Sequence, residues 1–138
     1  MTNSLEKTLE LVQAAAALAL DKKAEDVVIL KVDRVTSFAD YFVIASANSE
    51  RQVAAIASHI EDTMRRGGHK PIGVEGKDSG NWVLVDFGDF VVHLFLDTAR
   101  EYYDLDGFWT DAENVEVDEP AGMATVKAIE EAPRAAHG

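Results

Sequence analysis

The 138-residue chain carries 25 acidic and 13 basic side chains, a net charge of −12, so its surface repels the phosphates of DNA, RNA and anionic membranes. Its 47% hydrophobic residues suffice for one domain, because a chain of this length buries roughly two-thirds of its unfolded surface. The lack of cysteine excludes disulfides, thiolate nucleophiles and cysteine-ligated zinc. No segment resembles a signal peptide or a membrane span of roughly 18 apolar residues, which predicts a cytoplasmic protein.

The first half of the chain predicts two helices separated by two strands. Apolar residues recur at steps of three and four over residues 4–20, which places them on one helix face. Residues 27–32 form a continuous aliphatic run, typical of a strand covered on both faces, and residues 41–45 form a second strand. A capping box that starts at Ser49 begins the next helix, and a pair of glycines ends it.

The second half of the chain is rich in strand patterns. After one short strand, the apolar runs 82–86 and 90–96 are separated by a glycine-containing turn, which predicts a β-hairpin, and residues 97–103 suit a short helix. The order of elements is therefore α, β, β, α, β, β, β, α. This order predicts a single α/β domain with a mixed β-sheet flanked by helices.

Residues 113–138 are predicted to be an acidic tail outside the domain, which we place at residues 1–112. The tail holds six acidic and two basic residues, so it contributes −4 to the net charge and leaves −8 on the domain. Hydrophobic periodicity fades here, and two of the three prolines occur here, which favours a solvated, disordered segment with at most a transient helix over residues 123–129.

The sequence contains no complete catalytic set. The string Asp-Phe-Gly at residues 86–88 matches a kinase triplet without the other kinase motifs, and Asp-Leu-Asp at residues 104–106 lacks the phosphate-binding turn of a two-metal site. His93 lies between apolar residues in a strand, which fits a hydrogen-bonded core residue better than a catalyst. We therefore predict a protein that is not an enzyme and holds no metal or cofactor.

Aromatic rings and carboxylates lie close together in the second half of the chain. Strand alternation places Trp82, Leu84 and Asp86 on one face, and two tyrosines precede the acidic and aromatic residues 104–109. Large rings beside carboxylates suit the recognition of a basic protein, although the same rings would also serve as core anchors. The alternative is that the acidic residues only keep the protein soluble and recognise no basic partner.

A set of strings that runs in order along residues 5–112 resembles a known family. The strings are DRVTSFADYFVIAS (33–46), RQVAAI (51–56), EG (75–76), WVLVDFGD (82–89), VVHLF (91–95) and YDLDGFW (103–109). As a set they resemble the ribosomal silencing factor family, also called the Iojap family. Asp106 stands where many members have glutamate, and Phe108 stands where leucine is usual.

The resemblance implies a fold related to nucleotidyltransferases but without their catalytic set. It also implies a translational repressor that binds the large ribosomal subunit through ribosomal protein fourteen and sterically blocks joining of the small subunit under nutrient limitation. Members of the family are commonly homodimers when free. A ribosomal protein is basic, so an acidic domain is attracted to it while RNA repels that domain.

We expect the partner-binding patch to combine aromatic anchors with an acidic rim. The residues predicted for it are Trp82, Asp86, Asp89, Tyr103, Leu105 and Asp106, with Ser37 and Asp40 as secondary candidates. Two other functions are kept as alternatives: a relic nucleotidyltransferase-like enzyme, and a dimeric scaffold for another basic protein.

Overall fold

A computed structural model describes residues 4–132, apart from the side chains of Ser4, Asp106 and Phe108. Helices and strands follow one another as α1 (Ser4–Asp21), β1 (Glu25–Lys31), β2 (Tyr41–Ala47), α2 (Glu50–Arg66), β3 (Gly73–Glu75), β4 (Trp82–Asp86), β5 (Phe90–Leu96), α3 (Asp97–Tyr103), α4 (Leu105–Phe108), β6 (Glu113–Val115) and α5 (Glu119–Glu131). None of the helices in this part of the chain has the length and apolar character needed to cross a membrane.

The strands form one six-stranded sheet in the order β3-β4-β5-β2-β1-β6. The two central strands, β2 and β5, are parallel, and every other neighbouring pair is antiparallel. All seven residues of β2 are buried, as expected for a central strand with side chains packed on both faces. The predicted α/β fold with a mixed sheet and a β4–β5 hairpin is confirmed.

Helices α1, α2 and α5 cover one face of the sheet. Helix α2 begins where Ser49 Oγ accepts a hydrogen bond from the Gln52 amide at 3.1 Å, which is the cap that the sequence predicts. The predicted stripe of α2 is buried and packs with α1 and the sheet in one apolar core. Its buried apolar members are Val53, Ile56, Ala57, Ile60 and Met64.

The prediction of a solvated tail after Ala112 is wrong for residues 113–132, because this segment completes both the sheet and the helical layer. Strand β6 pairs antiparallel with β1, with Val115 opposite Ile29. Helix α5 then packs along α1 and buries Gly122, Val126 and Ile129. A domain boundary at residue 112 would therefore cut through the sheet. Residues 133–138 lie outside the described part of the chain.

Two local interactions attach this segment to α1. The buried Gln13 side chain donates from Nε2 to the carbonyl of Glu116 and accepts at Oε1 from the amide of Asp118, both at 2.8 Å. Hydrophobic periodicity indicated β6 and α5 only weakly. Strand β6 has three residues, and the close contact between α1 and α5 is made by a glycine, which adds nothing to an apolar stripe.

Gly122 sets the distance between α1 and α5, which gives the first prediction. A Cβ at this position would lie 2.2 Å from the carbonyl oxygen of Gln13 and 2.8 Å from Ala17 Cβ. Gly122→Ala should therefore destabilise the protein by about 1–3 kcal/mol through overpacking. Helix propensity alone would stabilise this variant by up to about 1 kcal/mol. Overpacking and helix propensity therefore predict changes of opposite sign in the free energy of unfolding, which urea denaturation measures.

The control is Ala124→Gly at an exposed position of the same helix. This change should cost only about 1 kcal/mol, which is the propensity difference. A Gly122→Ala protein more stable than the wild type would show that the helices are not in close contact at this point.

Candidate functional site

The face of the sheet opposite α1, α2 and α5 is covered over the central strands and less completely at β4. It carries its own apolar cluster, which includes Leu30, Phe42, Ile44 and Phe95. Residues of α3, α4 and the segment that follows pack over this cluster together with Ala39 of the loop between β1 and β2, and strand β4 is left half-buried on this side. We call it the open face.

Strand β4 alternates between the two faces as the sequence predicts. Val83 and Val85 are fully buried in the core beneath the helices. Trp82 and Leu84 are half-buried and pack against the cluster of the open face. The strand therefore presents an indole ring to the surface and anchors it through the two valines behind it.

Three rings form the aromatic end of the open face. The Trp82 ring stacks on Phe95, with centroids 5.0 Å apart and an interplanar angle of 28°. Tyr103 lies 5.1 Å from Trp82 and is 51% exposed. Phe95 is fully buried, so the aromatic end runs from the core through Trp82 to an exposed tyrosine.

His93, on the same face of the neighbouring strand β5, holds the Trp82 ring in place. Trp82 Nε1 donates a hydrogen bond to His93 Nδ1 at 3.1 Å. Burial lowers the pKa of His93 from 6.5 to about 4, because a charged imidazole loses its hydration there. The neutral ring accepts at Nδ1 and carries its proton on Nε2, which has no hydrogen-bond partner among the described residues. The prediction of a hydrogen-bonded core histidine is confirmed.

Carboxylates gather at the other end of β4, which we call the acidic end. Asp86 is four residues from Trp82, about 13 Å along the strand, and its side chain accepts a hydrogen bond from the Gly88 amide at 2.8 Å. The Asp40 amide donates to the carbonyl of Asp89 at 2.8 Å. Burial, and after it the negative charges of Asp89 and Asp33, raises the pKa of Asp40. A cation that reaches this end would relieve that repulsion.

The predicted patch residues thus fall into two groups. Trp82 and Tyr103 belong to the aromatic end, and Asp86 and Asp89 belong to the acidic end. Leu105 is half-buried against the apolar cluster of the open face. Of the secondary candidates, Asp40 joins the acidic end and Ser37 is exposed in the loop between β1 and β2. The side chain of Asp106 lies outside the described part of the chain.

Sequence reasoning did not single out Phe38, which the structure adds to the open face. Its side chain is 65% exposed, and its ring lies 6.2 Å from Phe42 and 6.5 Å from Trp109. Trp109 in turn packs edge-on against Phe42 at 5.2 Å. The sequence feature that could have indicated Phe38 is a large aromatic residue in a mostly polar loop, because such a residue is rarely needed to close a loop.

The carboxylates here have structural tasks and form no metal site among the described residues. Asp104 adopts a left-handed conformation with φ of 46° and caps α4 by accepting from the Gly107 amide at 3.2 Å. The open face offers aromatic rings held by the neighbouring strand and carboxylates at one end. These features are typical of a small α/β protein that binds a macromolecular partner.

Comparison with known proteins gives the family. Residues 5–137 match the family model described as "Ribosomal silencing factor during starvation", and the chain belongs to this family. The family consists of regulatory proteins rather than enzymes, which confirms the prediction on that point. The match also extends through the segment that was predicted to be a tail.

Three similar proteins illustrate the match. The ribosomal silencing factor of Bacillus subtilis is 43% identical over 108 residues, which are 78% of this chain and 92% of the relative. A mouse protein named "Mitochondrial assembly of ribosomal large subunit protein 1" is 33% identical over 97 residues, 68% of this chain and 42% of the relative. A crystal structure of a Chromobacterium violaceum protein has a TM-score of 0.72 and 36% identity and covers 74% of this chain and 85% of that chain.

The buried neutral His93 predicts a specific dependence of stability on pH. Because folding lowers the pKa of His93 from 6.5 to about 4, the unfolded chain binds a proton in this range that the folded protein does not. The contribution of His93 to the free energy of unfolding is therefore at its full value above pH 6.5. It falls by about 3 kcal/mol in total as the pH drops to 4. Urea denaturation between pH 7 and pH 4 measures this loss.

The comparison is with His93→Asn, which lacks the titrating group and retains an acceptor near the position of Nδ1. The carboxylates, including Asp40, titrate in both proteins, so the difference between the two pH profiles isolates His93. Parallel profiles would mean that His93 is accessible to protons in the folded state.

Proposed function

We propose that the protein represses translation by binding ribosomal protein fourteen on the large ribosomal subunit and sterically blocking the small subunit. The proposal includes a cytoplasmic location and action under nutrient limitation. It is supported by membership of the ribosomal silencing family and by relatives whose names refer to ribosomal silencing and to assembly of the large ribosomal subunit. The observation that carries it is the open face, with exposed aromatic rings at one end and carboxylates at the other.

The docking patch that we propose is the set of residues predicted from the sequence, and Trp82 and Leu105 of this set pack against the apolar cluster of the open face. It comprises Trp82, Asp86, Asp89, Tyr103, Leu105 and Asp106, with Ser37 and Asp40 as secondary members. A standard interface covers about 800 Å² on each partner, which is enough to span both ends of β4. Because Trp82 is fixed by Phe95 and His93 before binding, little side-chain entropy is lost when a partner packs on it.

Charge complementarity orients the encounter. A ribosomal protein presents lysine and arginine side chains, and the carboxylates at the acidic end attract them. Helix α5 packs on α1, on the far side of the sheet, so its acidic residues contribute only to the long-range field. The charges that matter for docking are therefore those of Asp86, Asp89 and Asp40.

A steric block requires no chemistry. The protein has to occupy the surface where the small subunit would bind and to remain there long enough. We also propose that the free protein is a homodimer, as the family resemblance implies.

The direct test of the proposed function is subunit joining. Purified small and large subunits are mixed in joining conditions with increasing amounts of the protein and separated on a sucrose gradient. We expect free subunits to accumulate at the expense of joined ribosomes, with the protein sedimenting with the large subunit. Joined ribosomes in undiminished amount at saturating protein would refute the proposal.

The docking patch is tested by truncating its exposed ring. Tyr103→Ala should weaken binding to isolated ribosomal protein fourteen by about 2 kcal/mol, a typical hot-spot value, measured by calorimetry. Trp82→Ala should weaken it at least as much, but Tyr103 is the cleaner position because its side chain is 51% exposed. The matched control is Met123→Ala on α5, which should leave affinity unchanged. Equal losses in Tyr103→Ala and Met123→Ala would place the interface elsewhere.

A further inference from the structure

A compact group of cations lies at the carboxyl end of α2, in a protein whose net charge is −12. Arg65, Arg66 and Lys70 are all exposed, and we call these three residues the basic edge. Of the ion pairs formed among residues 4–132, none includes Arg65 or Lys70. Arg66 lies 3.9 Å from Glu130, but both side chains are about half exposed, so this pair neutralises little.

Helix stability explains only part of the basic edge. Arg65 and Arg66 lie in the last turn of α2, where cations interact favourably with the helix dipole. The helix ends at Gly67, where the chain turns and the His69 amide donates to the Met64 carbonyl at 2.8 Å. Lys70 lies beyond this turn, and the dipole effect decays within the last turn. The cluster therefore extends past the region where it would serve the helix.

The basic edge borders the acidic end of the docking patch. Helix α2 follows β2 and runs back along the sheet, so its carboxyl end lies near the amino end of β5. A cavity of about 220 Å³ there is lined by His69 and Lys70 and by Phe87 and Asp89, together with Thr8 and Leu11 of α1. Two residues after Lys70, the Ile72 amide donates to the carbonyl of Asp86 at 2.7 Å. The cations thus lie beside the patch rather than within it.

We propose that the basic edge contacts the phosphates of ribosomal RNA next to the docked ribosomal protein. This inference rests on the proposed function. An acidic protein that binds a small ribosomal protein comes close to surrounding RNA, and its net charge is then repelled by the phosphates. Cations at the border of the patch replace that repulsion with attraction, and phosphate contacts of this kind fix orientation without reading sequence. Away from the subunit, the net charge still disfavours binding to free RNA.

The test compares two variants that each remove two positive charges. Arg65→Gln/Lys70→Gln removes cations of the basic edge and leaves Arg66 beside Glu130. The control Lys22→Gln/Arg51→Gln removes exposed cations at the opposite end of α2, where Gln52 Nε2 donates to the Lys22 carbonyl at 2.9 Å. Binding is measured to purified large subunits and to isolated ribosomal protein fourteen over a range of salt concentrations.

We expect Arg65→Gln/Lys70→Gln to bind large subunits about tenfold more weakly than the wild type in low salt. Its plot of log affinity against log salt should be shallower by about one unit for each lost cation. Its affinity for the isolated ribosomal protein and that of the control variant for both targets should stay within about twofold of the wild type. Lys70→Gln alone, which lies outside the helix, is the variant to use if the loss of Arg65 lowers Tm.

Any other outcome of this binding experiment contradicts the inference. Unchanged binding to the subunit shows that the basic edge touches no phosphate, and an equal loss in the control shows an effect of net charge alone. Weaker binding to the isolated protein shows that these cations contact protein instead of RNA. Failure of the proposed function is a separate observation, because the wild-type chain itself would then not bind the subunit.

Discussion

The unequal cover of the two faces of the sheet shapes both the stability of this protein and the surface that we propose for binding. Three helices bury one face in a continuous apolar core. The other face is covered only in part, by two short helices and the segment after them. Most apolar side chains of that face are buried, whereas Trp82 and Leu84 of β4 are half-buried. The part of the sheet with the least cover is therefore the part that we propose for binding.

A hydrogen bond between neighbouring strands fixes Trp82 on the open face. His93 sits in the central strand β5 and accepts from Trp82 on the neighbouring strand. Because burial keeps the imidazole neutral, Nδ1 is available as an acceptor across the physiological pH range. The indole ring is held between this acceptor and the Phe95 ring, so a side chain at the surface has the order of a core residue. Such order is what a hot-spot residue requires.

The net charge of −12 is distributed unevenly, and its position matters more than its sum. Part of it lies on α5 and the strand before it, on the side of the molecule that packs against α1. A smaller part lies at the acidic end of the open face, where the pKa of Asp40 is raised by burial and by neighbouring carboxylates. Cations are concentrated at the end of α2. An acidic protein can therefore present surfaces of opposite sign side by side.

The sequence by itself determined the element types from α1 to α3, the alternation of β4 and the family. These are local properties: the cap at Ser49, the period of the buried stripe in α2 and the inward positions of Val83 and Val85 depend on neighbouring residues. The fit of Trp82 to a surface role could also be predicted, but not its hydrogen bond to His93, because that contact depends on the β4–β5 register.

Tertiary structure alone decided the role of residues 113–132 and the division of the predicted patch into two ends. The pairing of β6 with β1 joins residues far apart in the chain, and α5 is held by the close contact at Gly122 and by the side chain of Gln13 as well as by its two buried apolar residues, Val126 and Ile129. The exposure of Phe38 likewise follows from where the β1–β2 loop lies relative to Trp109. Contacts of this kind leave no periodic pattern in the sequence, because each depends on the distance between segments that only the folded chain brings together.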